Sequence, residues 1–263
     1  MNPTPLPAPS IPPGDGYVQS FARGLAVIRS FSAEAPAQTL SEVAQRAGLT
    51  RAGARRILLT LQTLGYVESE GRLFRLTPKI LDLGFAYLSS LPLWQRAEPV
   101  MQALVAEVHE SCSAAVLDGP DIVYVLRVPT HKIMSINLGI GSRLPAYCTS
   151  MGRVLLADLG QEERERRLAL RPPQALTSHT LTDAQAIAAS IDAVRREGYS
   201  LVDQELEEGL VSMAVAIRDR SGRAVAALNI SGQANRTPPA MMREQLLPKL
   251  QAAAGEIARL LAA

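Results

Sequence analysis

The chain is 263 residues long, 47% hydrophobic and 20% charged, with a formal net charge of +2. That length and mix suit two modest domains, each burying its own core, and no run of about 18 apolar residues marks a membrane span. Two cysteines and three histidines lie too far apart for metal-ligand spacing or a disulfide framework, so neither metal nor other cofactor is expected.

Residues 1–16, MNPTPLPAPSIPPGDG, hold six prolines and no Lys or Arg. This predicts a disordered tail, without the basic start and apolar core of an export signal. With cysteines of that kind, the expected location is the cytoplasm. Phe21 to Phe31 is an amphipathic segment, with Phe21, Leu25, Ile28 and Phe31 at helical spacing.

Thr39 and Glu42 then form a capping box that opens a short helix carrying Leu40, Val43, Ala44 and Ala47 on one face. Gly48 ends that helix, Leu49 plugs the turn, and Thr50 caps the next helix. There Ala54, Ile57, Leu58 and Leu61 face inward. Ala52 and Arg56 point outward, with Gly53 and Arg55 on the flanks. Small residues let a helix approach base edges, and arginine bonds guanine or phosphate, so Thr50, Arg51, Ala52, Gly53, Arg55 and Arg56 are the candidate DNA-reading edge. YVESEGRLFRLT (66–77) reads as two strands around a Ser69-Glu70-Gly71 tip, with Arg72 and Arg75 on or near this wing. Residues 17–77 are therefore a winged helix-turn-helix. Within 18–90, nine Lys/Arg face five Asp/Glu, a net of +4 that suits an anionic partner, double-stranded DNA.

Pro78 to Leu91 predicts a linker helix, and residues 92–263 a second domain. Trp94 to Glu110 is helical. Ala114–Leu117 and Ile122–Val128 are strands about an Asp118-Gly119-Pro120-Asp121 turn, and Ile133–Leu138 is another strand. Thr149–Asp158 and Gln161–Ala169 are helices. Thr182 is read as the cap of a helix over Asp183–Glu197, with Gln185 completing a capping box. Strands near Val211–Arg218 and Ala224–Ile230 flank a Ser221-Gly222 turn, and Pro239–Leu261 is the last helix. Strands in hairpins between helices argue an antiparallel α+β domain.

Gly139, Gly141 and Pro145 make a tight loop feeding the helix that starts near Thr149. Free N–H groups and the positive dipole end there suit a carboxylate. Arg127 and Arg143 are candidate countercharges or surface ion-pair partners, and Tyr147 stacks on a ring or simply packs. A rival class is an enzyme using Cys148 as nucleophile, but no local base accompanies it, and phosphate-loop, dinucleotide and hydrolase motifs are absent. A sensor module without DNA function is the other alternative.

Phe21–Thr77 resembles the DNA-binding domain of the IclR family of bacterial transcription regulators, and the likeness continues in order. LGIGSRLPAYCTSMGRVLLA (138–157), GYSLVDQELEEGLVSMAVAI (198–217) and ALNISG (227–232) resemble three blocks of that family's effector domain. RVPTHKIMSINLGIGSRLPAYCTSMGRVLLA looks most like its PcaR/PcaU/PobR branch. The resemblance implies a non-enzymatic homodimer or homotetramer with a GAF/profilin-like effector-binding domain, its linker helix packed on a second subunit. It implies effector contacts at Ser150, Met151 and Gly152, at Leu210 and Ser212, and at Asn229 and Ser231. Met151 departs from the alanine many members carry. The branch implies an acid of the protocatechuate, 4-hydroxybenzoate or β-ketoadipate class.

Overall fold

The computed structural model describes residues 14–89, 93–130 and 138–262. The chain divides into two compact units, Met1–Ser90 and Leu91–Ala263. Residues 1–13 of the expected tail, and 133–137 of the strand expected before Leu138, lie outside the described residues.

The first unit runs α1 (Gln19–Arg29), β1 (Ala37–Thr39), α2 (Leu40–Arg46), α3 (Arg51–Thr63), β2 (Val67–Glu70), β3 (Leu73–Leu76), a 3-10 turn (Pro78–Ile80) and α4 (Leu81–Ser89). The capping box forms: the Thr39 amide donates to Glu42 Oε2 at 2.7 Å, and the Glu42 amide to Thr39 Oγ1 at 3.4 Å. Gly48 takes φ +65, a conformation open to glycine at little cost, and the Leu49 amide then reaches Ala44 O at 2.8 Å. Val27, Val43, Ala44, Ala54, Leu58 and Leu61 close the core over Val67 of the wing.

Two features differ from expectation. The sheet has a third strand, because β1 pairs with β3, giving the order β1-β3-β2. The hairpin tip falls at Gly71-Arg72, since Glu70 still pairs with Leu73. In α1 the buried residues are Ala26 and Val27, whereas Phe21 and Leu25 are 68% and 42% exposed. Ile28 and Phe31, the other half of that stripe, do pack against the core beside Val27.

The second unit runs α5 (Leu93–Val108), β4 (Ser111–Asp118), β5 (Asp121–Val128), β6 (Arg143–Pro145), α6 (Ser150–Ala157), α7 (Gln161–Ala169), α8 (Ala184–Glu197), β7 (Tyr199–Asp203), β8 (Leu210–Arg218) and β9 (Ala224–Gln233). It ends with α9 (Pro239–Met241), a π turn (Met242–Leu246) and α10 (Leu247–Ala262). The six strands pair antiparallel in the order β6-β5-β4-β9-β8-β7. α8 is capped by Asp183, whose carboxylate accepts from the Ala186 amide at 2.8 Å, and not by Thr182. The carboxylate one residue on makes the stronger, charge-assisted cap.

Period-two alternation gives the sheet two faces. Cys112, Ala114, Met213, Val215, Leu228 and Ile230 form the face that packs under α5 and α10. The other face is small, then polar. Ala115, Ala214 and Ala227 lie beneath α6 and let it approach closely. Farther along the same face come Ser113, Asn229, Ser212 and Ser231, beside the start of that helix.

Candidate functional sites: a DNA-reading helix and a polar cavity

In the first unit α3 presents Arg51, Ala52, Arg55 and Arg56 to solvent, with Gly53 half-buried. Thr50 Oγ1 accepts the Gly53 amide at 3.1 Å, so the helix begins sharply at this edge. Arg51, Arg55, Arg56 and Arg72 form no ion pair with a described residue, which leaves their charges for an outside anion. Arg75 is held at 3.4 Å from Glu70 across the wing, and Arg72 stands at its tip. The end of α3 is tied to the start of the linker segment: Lys79 Nζ donates to Leu64 O at 2.9 Å and Thr77 Oγ1 to Gly65 O at 2.6 Å.

In the second unit a cavity of about 30 Å³ lies where α6 begins, walled by Tyr124, Leu138, Cys148, Thr149, Ser150, Met151, Val202, Leu206, Leu210, Ser212, Asn229 and Ser231. Six residues singled out in the sequence meet there: Ser150, Met151, Leu210, Ser212, Asn229 and Ser231. Ser150 Oγ and Ser212 Oγ are 2.5 Å apart, Asn229 Nδ2 donates to Ser212 Oγ at 3.3 Å, and Asn229 Oδ1 accepts the Ser113 amide at 3.0 Å. Thr149 Oγ1 takes the Gly152 amide at 3.2 Å. The amides of Ser150 and Met151 are then the ones a helix start leaves without an intrahelical acceptor. Larger hollows, of about 410 and 550 Å³, lie beside the end of α6 and between α5 and α10. They are open grooves without this convergence of hydroxyls and helix start.

The remaining candidates sit elsewhere. Arg127 Nη1 donates to Ser113 Oγ at 3.3 Å, one residue back from the cavity through Asn229. Arg143 is an ion-pair residue, 2.7 Å from Asp118 and 3.4 Å from Asp121, away from the cavity. Tyr147 is buried and its hydroxyl is taken by Gln174, donating to the carbonyl at 2.7 Å and accepting the amide at 2.9 Å. Gly152 faces the loop before α6, where a Cβ would stand 2.2 Å from Ala146 O. Its smallness therefore serves backbone packing.

Behind the cavity Arg153 and Glu205 form a buried ion pair at 2.6 Å, and Arg153 Nε also donates to Tyr147 O at 2.9 Å. This pair joins α6, which carries Ser150 and Met151, to the loop carrying Leu206. Sequence reading missed Ser113 and the Arg153–Glu205 pair. The alternating Ser111, Ser113, Ala115 pattern was the available signal for the first. Nothing local signals the second, whose members are 52 residues apart. Cys148 donates to Pro145 O at 3.9 Å, and burial pushes its thiol up to about 12. Near neutral pH that sulfur stays protonated and is a poor nucleophile.

Two family models match in chain order: the IclR helix-turn-helix domain over residues 20–71, and the bacterial transcriptional regulator IclR C-terminal domain over residues 85–259. The chain belongs to the IclR family. It is a DNA-binding transcriptional regulator. Among curated relatives of this IclR-family chain is the Pca regulon regulatory protein of Pseudomonas putida. It is 43% identical over 242 residues, spanning 92% of this chain and 83% of that protein. A putative transcriptional regulator from Rhodococcus sp. RHA1 superposes with TM-score 0.83 at 51% identity, over 93% of this chain and 98% of that one. An IclR homologue from Microbacterium hydrocarbonoxydans, solved in complex with 4-hydroxybenzoate, superposes with TM-score 0.79 at 28% identity, over 92% and 98% of the two chains. Among the described residues no helix is long and apolar enough to cross a membrane.

Proposed function

We propose that this regulator senses an aromatic or dicarboxylic acid of the protocatechuate, 4-hydroxybenzoate or β-ketoadipate class in the cavity at the start of α6. The observation that carries the reading is the convergence of the α6 start with Ser212, Asn229 and Ser231 around one apolar-walled space. A carboxylate gains from the helix N–H groups and dipole, a ring hydroxyl from the serine and asparagine groups, and the ring from Met151, Leu206 and Leu210. The bound 4-hydroxybenzoate of the M. hydrocarbonoxydans homologue supports the class. Arg127, acting through Ser113, adds positive charge behind the polar wall. Arg143, Tyr147 and Gly152 shape the site from outside it.

The cavity measures about 30 Å³, well below the roughly 300–1,000 Å³ of a usual ligand site. An aromatic acid must therefore displace a wall, and that displacement is what gives the ligand different affinities for two states of the domain. The output lies at the Thr50–Arg56 edge of α3, with Arg72 and Arg75 on the wing, against a double-stranded operator. The chain works as a homodimer or homotetramer in the cytoplasm, because two reading helices double the length of site recognised. Its role is binding and not catalysis, with Cys148 a protonated wall residue.

Thermal unfolding against a panel of 4-hydroxybenzoate, protocatechuate, β-ketoadipate and benzoate tests this reading. At a hundredfold excess over its dissociation constant, the true effector stabilises the second unit by about 2.7 kcal/mol, and Ser212→Ala reduces the gain. If none of the acids shifts the transition, the acid-sensor reading fails.

A further inference from the structure

On α3 the outward positions Ala52, Arg55, Arg56 and Leu59 fall at i, i+3, i+4 and i+7, one continuous stripe. Leu59 stands out on it. This leucine is 45% exposed, near the middle of the face that carries the two arginines. Leu64, the other exposed leucine nearby, lies about 140° round the helix axis, so Leu59 belongs to no larger apolar patch of α3.

The polar groups around Leu59 are already engaged. Thr60 Oγ1 donates to Arg56 O at 2.9 Å and Thr63 Oγ1 to Leu59 O at 2.9 Å, both turned back onto the helix. Gln62 Nε2 is tied to Ser69 Oγ of the wing at 3.0 Å. Beyond Arg56 the stripe therefore offers a groove the alkyl group of Leu59, with the neighbouring threonine hydroxyl protons turned back onto the helix.

We propose that Leu59, with Ala52, reads thymine C5-methyl groups in the major groove, while Arg55 and Arg56 take guanine edges or phosphates between them. The inference rests on α3 being the helix that enters the groove. Among the four bases only thymine places a methyl group in the major groove, and apolar side chains recognise it by contact. From Ala52 to Leu59 the helix rises about 10 Å, roughly three base-pair steps. The stripe thus reads as methyl contact, two cationic contacts, methyl contact, in that order along the groove. Leu59 lies one turn beyond Arg55 and Arg56 on the same face, and its exposed alkyl surface gains by being dried against a methyl group.

The test uses the full chain and a randomised duplex pool. The enriched duplex is resynthesised with deoxyuridine in place of each thymidine in turn, which removes one methyl group and nothing else. One or two replacements should weaken wild-type binding about fourfold, as the loss of one buried methyl predicts. Leu59→Ala should bind the thymidine and deoxyuridine forms alike at the position it reads. Leu59→Met keeps an alkyl group and should retain the preference, so a folding defect in the alanine variant leaves the question answerable. A wild-type protein indifferent to deoxyuridine at every position overturns the proposal, as does a penalty that survives unchanged in Leu59→Ala. If the pool yields no enriched duplex at all, the reading of α3 as the groove helix falls with it. An enriched duplex indifferent to deoxyuridine leaves that reading standing and removes only the methyl contact.

Discussion

Arg153 and Glu205 show how much can depend on two side chains. Both are buried and 2.6 Å apart, and Glu205 Oε2 also accepts the Leu181 amide at 3.1 Å. Removing one partner strands a charge away from water, whereas removing both strands none. Arg153→Met is expected to destabilise the second unit by about 3–5 kcal/mol, and Arg153→Met with Glu205→Leu to recover at least half of that, read by urea unfolding. Equal losses in the single and double variants would show that the charge pair is not the cause. At this scale the sequence was a partial guide. Ser150, Ser212, Asn229 and Ser231, which the family resemblance implied, do line one cavity. Arg143 and Tyr147 do not, because their nearest partners, Asp118 and Gln174, reach them only through the fold.

Helices with local start signals were legible at the scale of elements. Thr39 with Glu42, and Thr50, each cap the helix expected of them, and a helix does start at Thr149 as expected, since a helix start depends on residues within four positions. Thr50→Ala should lower amide protection across α3 about fivefold, the equivalent of about 1 kcal/mol for a lost cap, and hydrogen exchange reads it directly. Unchanged protection would mean that tertiary packing alone holds the helix start. Strands whose partners are distant were less legible. β1 was missed because three residues carry no period, and it exists only where β3 lies alongside it. β6, also three residues long, was missed for the same reason, while β7 (Tyr199–Asp203) was missed although its burial alternates.

On the scale of the molecule, the first unit carries an exposed basic helix and the second a polar cavity, the two halves of the proposed switch. Exposed apolar groups on the first unit fit a chain that pairs with itself. Tyr17, Val18, Phe21 and Leu25 line α1 and its approach, and Leu81, Leu83 and Phe85 stand exposed on α4. Phe21→Glu with Leu25→Glu should lower the mass seen by light scattering toward that of one chain. An unchanged mass would show that these side chains hold no pair of chains together. The sequence by itself determined the two-part plan, the capped helix pair, the basic bias of the amino-terminal unit and the family. The first three follow from periodicity, capping and charge, all local or additive properties, and the family from the resemblance of motif blocks in order along the chain. Only the tertiary structure decided which residues share the cavity, that Phe21 and Leu25 face outward, and that Arg153 meets Glu205. Those depend on strand register and helix packing, which join residues tens of positions apart by shape and not by any pattern along the chain.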